Sequence, residues 1–91
     1  MDFKHEKNRI YAEDEDGRVI AEVTFPETRE GVVDINRTFV DDSLRGQGVA
    51  GQLVAAVCSD LAADGRKAVP TCSYAVKWFS GHPEREDILS K

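Results

Sequence analysis

The hexapeptide GQGVAG, Gly46 to Gly51, sets three glycines at the spacing of a phosphate-gripping turn. Glycines at the start of a helix leave several backbone N–H groups bare, and their partial positive charge attracts phosphate. A dinucleotide fingerprint would also need a buried parallel strand before the turn and an acid about 20 residues after it for the ribose. Residues 67–72 read KAVPTC and hold no such acid, and the upstream strands have the pattern of hairpins rather than βαβ units. The Lys-Ser/Thr pair of a P-loop is missing too. What survives is the shared requirement, a diphosphate, with tight helix–strand packing as the plainer alternative. A second reactive group lies downstream. Cys72 ends a short strand and precedes a helix, where the helix dipole favours a thiolate. Structural burial is the competing fate of a free cysteine.

The other candidates carry less. Cys58, beside Val57 on the main helix, is assigned to packing. Ser73, Tyr74 and His82 can exchange protons, but the four-residue spacing from Tyr74 to Trp78 fits packing equally well. His5 stands in a polar N-terminus expected to fray. Glu13 to Asp16 form a solvated hairpin tip, with reception of a cationic acceptor as the alternative. Asp41 and Asp42 precede the helix and can cap its N–H groups, and Arg45 offsets part of their charge. Neither CxxC nor Cys/His spacing joins Cys58 and Cys72, so no disulfide framework and no metal site is expected.

These groups need a scaffold. Asp16-Gly17 is a turn pair between two apolar-flanked runs and predicts an antiparallel hairpin. Val19, Ala21, Val23 and Phe25 mark its second strand as half-buried. After a loop from Pro26 to Gly31, VVDINRTFV predicts one third strand, with Val33, Ile35, Arg37 and Phe39 on the apolar face and Asp34, Asn36 and Thr38 on the other. From Leu44 the period changes. Val49, Leu53, Val57 and Leu61 recur every four residues, as a helix packed on a sheet requires, and Asp64-Gly65 ends it. RKAVPTC is a short strand in which Pro70 cannot donate to a ladder. SYAVKWFSGHPE gives a short C-terminal helix whose Tyr74, Trp78 and Phe79 cover the core. The order is β-β-β-α-β-α, an α+β fold with a mixed, mostly antiparallel sheet.

Ninety-one residues with 41% hydrophobic content suit one domain, 1–91. Seventeen acidic against twelve basic residues give a net charge of −5, which argues against nucleic acid as a partner. No apolar run approaches the roughly 20 residues that span a bilayer, and the N-terminus lacks a signal-like apolar stretch. A cytoplasmic protein without a membrane partner is expected.

Taken as Arg45-x-x-Gly48-x-Ala50, after TFVDDSL and before an amphipathic helix, the loop resembles the coenzyme A diphosphate loop of the GNAT (GCN5-related) N-acetyltransferases. NRTFVDDSLRGQGVAGQLV and VPTCSYAVKWFSGHPE together are similar to the compact GNAT subfamily, which carries a cysteine near the acetyl group and a C-terminal His-Pro-Glu. The resemblance covers nearly the whole chain. It implies a minimal GNAT fold, with acetyl-CoA as co-substrate. It further implies that the N–H groups of Arg45, Gly46, Gln47, Gly48, Val49, Ala50 and Gly51 cradle the diphosphate. Phe39 and Val40 would edge the groove for the pantetheine arm, and an N–H near Val40, opposite the strand of Pro70, would meet the thioester oxygen. Cys72 would accept the acetyl group and pass it to an amine, with Tyr74 protonating the departing sulfur. The acceptor would be a small polyamine or an amine on a macromolecule. Subfamily members often have His where this chain has Arg37, which from the apolar face would favour a Cys72 thiolate. A non-catalytic acyl-CoA-binding module and a nucleotide-free interaction domain are the rival readings.

Overall fold

The computed structural model describes residues 1–90. Its strands are β1 (Lys4–Glu6), β2 (Arg9–Glu13), β3 (Val19–Thr24), β4 (Glu27–Arg29), β5 (Val32–Ile35), β6 (Arg37–Val40) and β7 (Lys67–Pro70). The helices are α1 (Val49–Asp64) and α2 (Ser73–Ser80), and 3₁₀ turns cover Asp42–Leu44 and Pro83–Ile88. The fold is α+β. One sheet runs β1-β2-β3-β6, antiparallel throughout; the other runs β4-β5-β7, with β5 and β7 parallel.

The hairpin at Asp16-Gly17 forms as its residues dictate, closed by Gly17 N–H to the Asp14 carbonyl at 3.0 Å. Helix α1 follows its four-residue period. Val49, Leu53, Val54, Val57, Cys58 and Leu61 are buried against β2, β3, β6 and β7, and Gly65 caps the end in a left-handed conformation. Trp78 and Phe79 of α2 close the core from the other end.

Four expectations are corrected. VVDINRTFV is two strands in two sheets: β5 pairs with β7, then the chain crosses at Asn36 and β6 pairs with β3. A single residue between them reverses the alternation, because a slip by one exchanges the faces of a strand. Thr38 and Val40 thus stand opposite the fully buried Val23 and Ala21, while Arg37 and Phe39 turn to the outer face beside Thr24 and Glu22. Arg37 is accordingly exposed and bonded to Glu22 rather than buried. The N-terminus does not fray: β1 extends the hairpin, and His5 Nδ1 meets Asp60 Oδ2 of α1 at 2.7 Å. The loop after Pro26 contains β4, whose partner is β5. Tyr74 is 39% exposed and is no part of the core.

On the outer face Glu22 accepts hydrogen bonds from both Arg9 and Arg37. Partial burial works against the carboxylate, but the two guanidinium partners outweigh it and hold the carboxyl below its ordinary value of 4.5. A depressed folded value contributes stability that is complete above the unfolded value and lost as pH falls through the folded one. Urea unfolding should therefore find the wild type more stable than Glu22→Gln at neutral pH, with the gap closing as pH drops below about 4.5. A gap that ignored pH would contradict this role.

Candidate active site

The glycine loop turns into α1 without a capping side chain. Gly46 and Gly48 adopt positive φ, 81° and 71°, a conformation costly for other residues. Gly48 is the N-cap and makes no side-chain cap bond. A Ser or Asp there would take up one or two of the first N–H groups; glycine leaves them bare. The first intrahelical bond runs from Gln52 N–H to the Gly48 carbonyl at 3.1 Å, so the N–H groups of Val49, Ala50 and Gly51 precede the ladder. The expected cradle narrows by two: Arg45 N–H bonds the Asp42 carbonyl at 3.1 Å and Gln47 N–H the Leu44 carbonyl at 3.3 Å. These turn bonds hold the loop in shape.

A cavity of about 320 Å³ lies against this turn, lined among others by Val40, Asp41, Arg45, Gly48, Ala50 and Tyr74. Its two acids are engaged. Asp41 accepts from the Ser43 hydroxyl at 2.6 Å and its N–H at 3.0 Å, and these bonds, the hydroxyl first, hold its carboxyl below the ordinary range. Asp42 pairs with Arg45 at 2.8 Å. Val40 lines the cavity, whereas Phe39 does not, for it stands on the outer face with Arg37 at 5.5 Å from its ring.

The neighbouring cleft follows from the crossing at Asn36. The Ile35 carbonyl receives both Thr71 N–H at 3.0 Å and Cys72 N–H at 3.1 Å. Beyond this rung β6 belongs to the other sheet, and no strand pairs with its far edge among the described residues. Asp41 N–H goes to Ile20 at 2.8 Å, so the two-residue alternation of an antiparallel ladder turns the Val40 N–H to that unpaired edge.

Cys72 caps α2 across this cleft. Its half-buried sulfur accepts Ala75 N–H at 3.3 Å and meets the Thr38 hydroxyl at 3.4 Å. Thr38 was invisible as a site residue because its sequence parity put it on the polar face; the exchange of faces at Asn36 brings it to the thiol. Arg37 does not approach Cys72. Ser73 is exposed. Cys58 is buried on α1, where burial raises its thiol above the usual range against the opposing effect of Arg85. His82 stacks on Trp78 with ring centroids 3.9 Å apart and its Nδ1 at 2.7 Å from the Trp78 carbonyl, so it is bound into the end of α2 and away from the cleft. Among the described residues no group of His, Cys, Asp and Glu can hold a metal ion, and no helix is long and apolar enough to cross a membrane.

The family model described as GCN5-related N-acetyltransferase matches residues 9–88. None of the curated proteins matches the chain in sequence. Among solved structures, a GCN5-like protein from Staphylococcus aureus is 27% identical, with a TM-score of 0.81 over 98% of this chain and 87% of that one. A GNAT family N-acetyltransferase from Escherichia coli, solved in complex with CoA, is 31% identical, with a TM-score of 0.60 over 68% of this chain and 38% of that one. A Mycobacterium tuberculosis protein, also solved with CoA, shares the fold at 16% identity, with a TM-score of 0.65 over 85% of this chain and 48% of that one.

The glycines have separable duties. Gly48→Ala should lower stability by about 1–2 kcal/mol, the cost of a left-handed alanine. Gly51 is helical, and a Cβ there would stand 3.4 Å from Tyr74 Oη and 3.6 Å from Trp78 Nε1, an ordinary contact. Gly51→Ala should therefore be neutral or stabilising by up to about 1 kcal/mol. Thermal unfolding of both variants checks the pair, and the reverse order would contradict the loop geometry.

Proposed function

Because the chain belongs to the GCN5-related N-acetyltransferase family, we propose that it binds acetyl-CoA and transfers the acetyl group to a primary amine through Cys72. The observation that carries this is the uncapped start of α1, whose open N–H groups are suited to a diphosphate. Two solved structures that share its fold hold CoA, one of them a GNAT family N-acetyltransferase. The diphosphate lies against the N–H groups of Gly48 to Gly51, and the pantetheine arm runs past Val40 into the cleft between β6 and β7. There the Val40 N–H donates to the thioester oxygen, where negative charge grows during attack.

In the first half-reaction the Cys72 thiolate attacks the thioester carbonyl. The carbon–sulfur bond to CoA breaks, CoA leaves with the electron pair, and its sulfur takes a proton from Tyr74, which regains one from water. In the second, a neutral primary amine attacks the S-acetyl carbonyl. The Cys72 sulfur leaves with the electron pair, and the surplus proton of the amine passes to water. The Ala75 N–H and Thr38 hydroxyl turned toward the sulfur stabilise its negative charge at both stages. The acceptor is an exposed amine, on a small polyamine or a macromolecule, because α1, β7 and α2 follow one another with short links that build no enclosing pocket for it.

Mass spectrometry after incubation with acetyl-CoA should find one acetyl group on Cys72, absent in Cys72→Ser. Tyr74→Phe should slow CoA release by about 10²-fold. CoA release across a panel of amines measures turnover. Full turnover by Cys72→Ser without any acetyl-cysteine in the wild type would refute the covalent route, and CoA binding without release for every amine would make the protein a binding module.

A further inference from the structure

The cleft between β6 and β7 can be entered from two faces of the sheets. On the helix side Val33, Ile35 and Ala68 are fully buried and α1 packs over the strands, so the way in is the cavity at the diphosphate turn. The Val40 N–H lies in the plane of its sheet, as ladder groups do, and a carbonyl held there stands between the strands, within reach of the opposite face. On that face Asn36 and Arg37 are exposed and Val69 is 42% exposed.

Alternation along β5 sends Asp34 to this outer face, between the inward Val33 and Ile35. Its N–H is fixed by the Pro26 carbonyl at 2.9 Å, and its register partner on β7 is Val69. Thr71, two residues further on and on the same face, donates its hydroxyl to Asp34 Oδ1 at 2.5 Å. The next residue is Cys72. The carboxylate is thus one hydrogen bond and one residue step from the thiol, a separation on the order of 8 Å.

This acid lacks a counter-ion. It is half-buried, its second oxygen accepts no hydrogen bond, and no Lys, Arg or His pairs with it among the described residues. One hydroxyl does not replace the hydration that such a charge gives up. Glu22, on the outer face of the adjoining sheet, is by contrast held by both Arg9 and Arg37. Asp34 is a fixed anion short of a cation, beside the nucleophile and on the face that CoA does not use.

We propose that Asp34 holds a second ammonium group of the acceptor, so that the amine acetylated is one end of a small aliphatic diamine or polyamine. The inference rests on the transfer reading above and selects between its two acceptor classes. Four carbons set two nitrogens about 6 Å apart, and a contact at each end extends the reach to about 10 Å, enough to join the S-acetyl carbon to this carboxylate. Exposed Val69, opposite Asp34, gives the methylene chain an apolar neighbour. Asp34 is a specificity residue: it binds the distal nitrogen and exchanges no proton with the reacting one.

CoA release with 1,4-diaminobutane and with n-butylamine, which lacks the second nitrogen, tests this. The wild type should show a kcat/KM about tenfold or more higher for the diamine, the scale of one charge-assisted contact. Asp34→Asn, whose amide oxygen can still accept from Thr71, should bring the diamine down to the level of n-butylamine, mainly through KM. Equal use of both amines by the wild type, or an equal loss for both in Asp34→Asn, would overturn the role of Asp34 while leaving the transferase standing. Should Asp34→Asn fail to fold, the wild-type ratio decides. Acetylation of Cys72 by acetyl-CoA alone precedes the acceptor step and is read separately, so a failure there counts against the covalent route and not against Asp34. No turnover with either amine would overturn the transfer reading itself, and this inference with it.

Discussion

A chain that changes sheets at a single residue, leaving β7 after Ile35 and joining β3 from Arg37, organises this molecule. The Ile35 carbonyl takes the N–H groups of both Thr71 and Cys72, and the next residue, Asn36, already bonds to Thr24 of the other sheet. Had β6 continued beside β7, the ladder would have used its edge and left no cleft. Pro70, paired opposite Ile35, has no N–H with which to extend the pairing on the outer edge. Cys72 then turns directly into α2, so the thiol, the unpaired edge of β6 and the start of a helix meet at one place.

The glycine loop works by omission in the same way. Helices usually begin with a side chain that accepts the first N–H groups. Here Gly48 has none, and the acids that stand near are held by Ser43 and Arg45. The open donors of α1 and the open edge of β6 flank one cavity, at Val40. Two departures from ordinary hydrogen-bond satisfaction thus adjoin each other, as expected of a binding site rather than of a packing solution.

Much of this was legible in the sequence. The period of α1, the Asp16-Gly17 turn, the Gly65 terminus and the strand at KAVP all depend on local rules, and each stands where those rules put it. The family was legible too, through the loop and the segment from Pro70 to Glu84. What escaped was the exchange of faces at Asn36, whose local mark in VVDINRTFV is slight: one charge, Arg37, in line with Val33, Ile35 and Phe39. That single error placed Arg37 and Phe39 inward and hid Thr38. Tyr74 was read as core because four-residue spacing records only a shared helix face and not whether anything covers it.

The central claim is that bare amides of α1 and β6 receive the diphosphate and thioester ends of acetyl-CoA. Amide chemical shifts recorded while CoA is added to the labelled protein address it residue by residue. The largest changes are predicted at Gly48 to Gly51 and at Val40, with Lys4 to Glu13 unmoved. Saturable binding that shifted the hairpin but left those amides in place would contradict the account, as would the absence of any binding.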